Sequence, residues 1–243
     1  MNRVDPRWSS SPGWPLVLYF HHVTDEFEHY TAIGKDAFRH IIELCLRLYG
    51  GPLDPNELEG VIERRGTAEP TFLVTFDDGY RNVVDNGLPV LDEFGIKAVF
   101  FIIYNAISFG ACKGMPSNRA SFLTLKDVAL LRDGGHRLGG HTANHFDLSD
   151  MEPTVAEAEI LPPQQLAQLM DPRSFIFAYP FGQLPKDVQL GSETFAFGTV
   201  KSAPKPWISA PHAIRRTYFP IGESGEWSAI VKGWREQWYQ PSR

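Results

Sequence analysis

The chain has 243 residues, 43% apolar and 13% aromatic, with 23 basic against 29 acidic side chains and a net charge of −6. That supplies a real core for one large α/β domain or two small ones, and the lack of clustered Lys and Arg argues against a nucleic-acid partner. No run approaches the ~18 apolar residues of a membrane span, and the opening MNRVDPRWSSSPGWP lacks the apolar core of a secretion signal, so a soluble cytoplasmic protein is expected.

Residues 1–14 read as an irregular segment before a single domain spanning 15–243. PLVLYFHHV (15–23) is a β-run interrupted by His21 and His22. A helix from about Lys35 to Tyr49 follows, with Phe38, Ile41, Ile42, Cys45 and Leu48 at helical spacing. Cys45 is then a buried small hydrophobe, and with Cys112 it fits no metal spacing and demands no disulfide. PNELEGVIERR is a shorter helix, TFLVTF (71–76) a strand, and PVLDEFG the end of a helix capped at Gly95. IKAVFFII is the next strand, and Ser108–Arg119 reads as a long exposed loop. LTLKDVALLRDGG gives a helix with Thr124 as N-cap. HRLGGHT, SFIFAY and TFAFGTV are later strands, and EWSAIVKGWREQWY is a closing amphipathic helix. Strands alternating with helices imply parallel pairing, whose ligand sites collect at the carboxyl ends of the strands.

Asp77 and Asp78 sit at such an end, in TFDDG. Adjacent carboxylates repel, and burial worsens the repulsion unless a cation is bound. GGHTANH places His141 and His145 four apart, a spacing that on a helical turn lets both rings share one ion. The same spacing also fits two loop histidines making ordinary hydrogen bonds. One carboxylate with two imidazoles is the protein ligand set of a catalytic zinc-type site, which leaves the second aspartate able to act as a base.

In order and spacing, TFDDG, HTANH and FAYPFG resemble the motifs of the polysaccharide deacetylases, the NodB-homology or carbohydrate esterase family 4 group, and LTLKDVALLRDGGHRLGGHT resembles that family's approach to its histidines. The resemblance runs from about Pro15 to Gly222. It implies an α/β fold, a distorted (β/α)7 barrel in one domain. It makes Asp77 the general base, and Asp78, His141 and His145 the ligands of one divalent ion, zinc before cobalt or nickel. Tyr179, Pro180 and Phe181 become a wall of the substrate groove, which ordinary core packing would also explain, and the Tyr80 amide becomes an oxyanion donor. Thr75 and Thr142 are expected to orient neighbouring site residues.

Three departures from the family pattern carry expectations of their own. Ala178 stands where many members have the arginine that holds the catalytic aspartate; Arg216 is expected to replace it, or else to be a solvated surface residue. The usual C-terminal Leu-His is not evident. A donor opposite the base is needed to protonate the leaving amine, and YFHHV resembles the YH-x-V strand of a subgroup, aligning His21 with its acid. His212, in APHAIRR, is the rival, and His22 points to the other face of the strand. Arg137 and Gly140 replace the Glu and Ser of relatives, with no chemical consequence expected.

The resemblance implies a metal-dependent hydrolase that removes an N-acetyl or similar acyl group from an amino sugar or glycan. The missing leader favours a precursor glycan, a lipid-linked sugar or a small acetylated metabolite in a biosynthetic pathway. O-deacetylation would use the same site. A carbohydrate-binding barrel without turnover is the alternative of a different class; a metal phosphoesterase would want more carboxylates. Substrate identity and oligomeric state are not readable from the chain.

Overall fold

The apolar runs of the sequence become short buried strands, all paired in parallel. The computed structural model describes residues 6–115 and 121–240; positions 1–5 of the N-terminal segment expected to be irregular and 116–119 of the expected Ser108–Arg119 loop lie outside the described residues. In chain order the strands are β1 (Leu16–Phe20), β2 (His22–Val23), β3 (Ala32–Ile33), β4 (Gly51–Pro52), β5 (Thr71–Phe76), β6 (Ala98–Ile102), β7 (Arg137–Gly140), β8 (Phe175–Ala178) and β9 (Thr194–Phe197). The helices are α1 (Lys35–Leu48), α2 (Leu58–Glu63), α3 (Leu88–Glu93), α4 (Tyr104–Phe109), α5 (Leu125–Asp133), α6 (Pro153–Ile160), α7 (Gln164–Ala167) and α8 (Ser224–Trp238).

The sheet runs β1-β5-β6-β7-β8-β9, with β4 paired to the opening of β5, while β2 and β3 pair separately. Parallel neighbours need crossovers, and the helices supply them. The two edges of the sheet are then joined by the segment Ile214–Thr217. Thr217 bridges Leu18 on β1, and Ile214 bridges Phe197 on β9, both in parallel. Counting that segment gives seven staves, the distorted (β/α)7 barrel that the motifs implied.

Because strand side chains alternate, both faces of the sheet are apolar. Phe72, Val74 and Phe76 of β5 join Phe38, Ile41 and Val90 of the helical layer. Leu73 joins Val17, Val99, Phe101 and Ile176 in a second cluster. Thr75 and Asp77 continue the register of Leu73, which brings a carboxylate to the mouth of the barrel. On the outside, α8 packs on α1. Trp8 of a 3-10 turn meets Trp234 edge-on at 6.4 Å between centroids, and the Ser10 N–H donates to Gln237 Oε1 at 2.7 Å. Among the described residues, no helix is long and apolar enough to cross a membrane.

Several local expectations change. The strand 96–103 is trimmed to β6, and α4 begins one residue after the end of that run and enters the first two residues of the expected loop. Thr124 does cap α5, in a full capping box with Asp127. Arg137, expected to carry no chemical consequence, has a structural role: its buried guanidinium donates to Glu59 Oε1 at 2.5 Å and Ser174 Oγ at 2.7 Å. Gly140 also has a packing reason, since a Cβ there would collide with the Tyr104 hydroxyl.

Candidate active site

Strand β5 stops at Phe76. Asp77 stays tied to the sheet, its N–H donating to the Phe20 carbonyl at 2.9 Å, whereas Asp78 turns into the left-handed region at φ +72° and Gly79 follows at +80°. That turn sends two neighbouring carboxylates to different partners, which removes the conflict posed by TFDDG.

Asp77 goes to Arg216. Arg216 Nη1 donates to Asp77 Oδ1 at 2.6 Å and Nη2 to Oδ2 at 2.8 Å; Nη1 also reaches Thr75 Oγ1 at 3.1 Å, and Nε donates to the Gly198 carbonyl at 2.8 Å. The guanidinium is flanked by the rings of Tyr19 and Phe101, at 4.9 and 5.2 Å. It is 1% exposed, so it is no solvated surface residue. Burial alone would raise the Asp77 pKa; Arg216, with help from His141 and His21, outweighs it and holds the carboxyl ionised.

Asp78 goes to the histidines. His141 Nε2 lies 3.4 Å and His145 Nε2 3.3 Å from Asp78 Oδ1, and all three ligand atoms fall within 4.8 Å of one another. The His141 ring is oriented by its Nδ1, which donates to the Ala178 carbonyl at 2.7 Å and leaves the Nε2 lone pair facing Asp78. The two histidines lie on a bend rather than the helical turn that their spacing suggested, with Thr142 at φ +68° and His145 at +59°. Thr142 Oγ1 accepts the His145 N–H at 2.8 Å, an orienting role within the loop.

Of the six non-glycine residues at positive φ among those described, four belong here: Asp78, Thr142, His145 and Phe181. Such backbone costs about 1–3 kcal/mol per residue and persists only where surrounding contacts over-determine it.

The donor set fits a divalent cation. Asp78 Oδ1, the atom between both Nε2 atoms, is buried without a hydrogen-bond partner. Burial brings His145 down to about 4, so its ring is neutral and available as a ligand. His141 moves the other way: burial would lower its pKa, but the Asp77 and Asp78 carboxylates outweigh it and draw a proton toward the ring. The cluster is short of one positive charge, which a metal would supply.

The remaining expected residues divide. His21 and Tyr80 line the same open cleft, of about 1600 Å³, as Asp77, Asp78, His141 and His145. His21 Nε2 stands 4.0 Å from Asp77 Oδ2, beside the expected base rather than opposite it. His22 is buried against Tyr80, with stacked centroids at 3.8 Å, and desolvation lowers it to about 4. Phe181, 52% exposed, stands edge-on over His145 at 4.9 Å and forms a wall of the cleft. Tyr179 also reaches the cleft, but is 2% exposed and spends its hydroxyl on the His212 carbonyl. Pro180 is buried and lies outside the residues lining the cleft. His212 lies outside them too, its Nε2 facing the Gly191 carbonyl at 3.3 Å. Two groups escaped the sequence reading. The Ala178 carbonyl has no side-chain signature, while Asn144, inside HTANH, pairs with Glu159 of α6.

Residues 64–197 match the polysaccharide deacetylase family model. A chitooligosaccharide deacetylase of Rhizobium leguminosarum bv. phaseoli is 30% identical over 108 residues, 44% of this chain and 42% of that protein. A chitin deacetylase of Arthroderma benhamiae is 30% identical over 102 residues, 42% of this chain and 24% of that protein. These alignments therefore span less than half of the curated relatives. Among solved structures, IcaB from Ammonifex degensii superposes with a TM-score of 0.70 at 20% identity, over 92% of this chain and all of that one. The Streptococcus pyogenes deacetylase PplD in complex with acetate gives 0.70 at 18%, over 95% and all. At such identity the superpositions show a shared fold. The matched stretch takes in TFDDG, HTANH and the strand whose Ala178 carbonyl orients His141, more than half of the chain, and by that match the chain belongs to the polysaccharide deacetylase family.

Proposed function

We propose that the protein is a metal-dependent hydrolase that removes an N-acetyl group from an amino sugar within a glycan or smaller carbohydrate. The observation that carries this reading is the division of labour between the two aspartates. Asp78 shares a closed three-ligand cluster with His141 and His145, while Asp77 is held by Arg216 at the edge of an open cleft. A protein that only bound carbohydrate would have no use for a second buried carboxylate with its own guanidinium. The arginine missing at Ala178 and the absent C-terminal Leu-His are the grounds for a barrel without turnover, and Arg216 meets the first from the segment Ile214–Thr217.

Asp78, His141 and His145 would hold the divalent ion, zinc in the first instance. Bound there, it supplies Lewis acidity that polarises an acyl carbonyl and acidifies water. Asp77, kept ionised by Arg216, takes a proton from the attacking water, so that its oxygen forms the new C–O bond. His21, which lines the cleft beside Asp77 and not across from it as expected, would deliver a proton to the departing nitrogen as the C–N bond breaks. The N–H of Tyr80, following the left-handed turn, serves as oxyanion donor. Phe181 gives the sugar an apolar face to lie on.

The reading is tested by incubating metal-loaded protein with N-acetylated amino sugars, their oligomers and nucleotide sugars, and measuring released acetate together with the new amine. Acetate with a stoichiometric amine is expected from at least one class. A protein that carries metal and releases none from any of them is not this enzyme.

A further inference from the structure

The HTANH loop carries two non-glycine residues in the left-handed region, Thr142 and His145, and much of what holds it comes from outside the motif. Glu159, near the end of α6, is 9% exposed. Its Oε2 accepts the Asn144 backbone N–H at 2.8 Å, and its Oε1 accepts the Asn144 side-chain amide at 2.7 Å. Its own carbonyl accepts the Ala143 N–H at 2.8 Å. Asn144 Oδ1 in turn accepts from Asn105 Nδ2 at 2.9 Å. Asn144, the last of the three residues between the two histidines, is thus held at its backbone N–H and at both ends of its side chain, immediately before His145.

We propose that Glu159 is a positioning residue for the metal site. By occupying both donors of Asn144, it fixes the backbone that sets how far His145 Nε2 stands from His141 Nε2. Only an ionised carboxylate presents two acceptors to two donors in this way. An amide in its place turns an NH2 toward one of those donors, and the freed loop can let His145 leave its left-handed conformation and swing its ring off the cluster. The inference rests on Asp78, His141 and His145 being the ligands.

The test is Zn2+ affinity, by competition with a chromophoric chelator, alongside the ligand-field absorption of the Co2+ form. Neither readout depends on a substrate. Glu159→Gln is expected to weaken Zn2+ binding by about 10–100-fold, the range seen when groups that orient metal ligands are altered, and to change the Co2+ band. The double variant Asn144→Asp/Glu159→Gln exchanges donor and acceptor while keeping the net charge. The amide introduced on α6 can then accept from the loop's backbone N–H and donate to the carboxylate introduced between the histidines, and most of the affinity should return. Coupling of that kind reports the pair itself and not a general loss of stability. Wild-type affinity in folded Glu159→Gln, or a double variant no better than the single, overturns the proposal. If Glu159→Gln does not fold, Asn144→Ala removes the side-chain half of the grip and should bind Zn2+ several-fold more weakly; unchanged affinity there also overturns it. A wild-type protein that takes up neither metal overturns the ligand assignment itself, an outcome distinct from a failure of Glu159 alone.

Discussion

Arg216 and Asp77, 139 residues apart, meet through two parallel hydrogen bonds of 2.6 and 2.8 Å inside the barrel mouth. The pair is buried except where Asp77 meets the cleft, so its partners stabilise each other only while both are present. Removing the guanidinium by Arg216→Ala should destabilise the fold by about 3–5 kcal/mol, the cost of a buried unpaired charge. Arg216→Lys keeps the charge and loses the fork, so deacetylation should fall about 10–100-fold with a smaller stability loss. Urea titration and steady-state rates measure the two. A lysine variant with full activity would show that charge alone suffices.

The two aspartates should separate cleanly in metal content. Asp78→Asn and His141→Ala are expected to lose the bound ion, read by elemental analysis of dialysed protein. Asp77→Asn should retain it while turnover drops by about 10²–10⁴, as befits a proton acceptor. Metal lost from Asp77→Asn and kept by Asp78→Asn would reverse their roles.

A proton donor matters most when the leaving group is poor. His21→Ala should lower amide hydrolysis by about 10²-fold but leave an activated acetate ester within a few-fold of wild type, with metal retained. His212→Ala, whose ring faces Gly191 outside the cleft, should change neither. The reverse pattern, with His212 splitting the two substrates, would make His212 the acid.

Much of this site could be read before any coordinates. Buried parallel strands such as TFLVTF announce themselves as continuous apolar runs, and TFDDG and HTANH name their own chemistry. Short or sparsely paired elements could not be read. The strand β3 has two residues, α4 is built from the half-polar YNAISF, and Ile214–Thr217 is joined to its neighbours only by isolated bridges. The left-handed turns at Asp78, Thr142 and His145 were equally hidden, because a positive φ is uncommon outside glycine and the leaning of Asp and His toward it is too weak to mark a position. The four-residue histidine spacing therefore suggested a helical turn where the chain makes a bend. Arg216 was found through the gap at Ala178, whereas Glu159 stood in no motif at all.

Gly140 offers a stability test at the end of β7. Tyr104 fills the space a Cβ would take and donates its hydroxyl to the Ile160 carbonyl at 2.6 Å. Gly140→Ser should therefore cost about 1–3 kcal/mol through overpacking. Adding Tyr104→Phe, which removes the colliding oxygen, should recover part of it; additive losses in chemical denaturation would place the strain elsewhere.

His136 gives a pH dependence away from the metal. Its Nδ1 accepts the Ala98 N–H at 3.1 Å, and burial, aided by Lys97, lowers its pKa to about 4 from an ordinary 6.5. The unfolded chain then binds the proton first. Stability present above pH 6.5 is lost progressively as pH falls toward 4, by at most about 3 kcal/mol from this group. His136→Asn keeps an acceptor and cannot titrate, so the gap between wild type and variant should shift in the variant's favour across that window. A gap independent of pH would exclude His136 as a source.

Ile214–Thr217 both closes the seam between β9 and β1 and delivers Arg216 to Asp77. The segment follows in sequence every strand that it joins. If Asp77 is the base proposed above, assembly of the cylinder and arming of that base are one event: a chain that has laid its first six staves has the carboxylate but not the guanidinium that keeps it charged. Half-folded or truncated forms would be silent enzymes rather than careless ones, and anything that pries the seam apart would act as an off-switch without touching the metal.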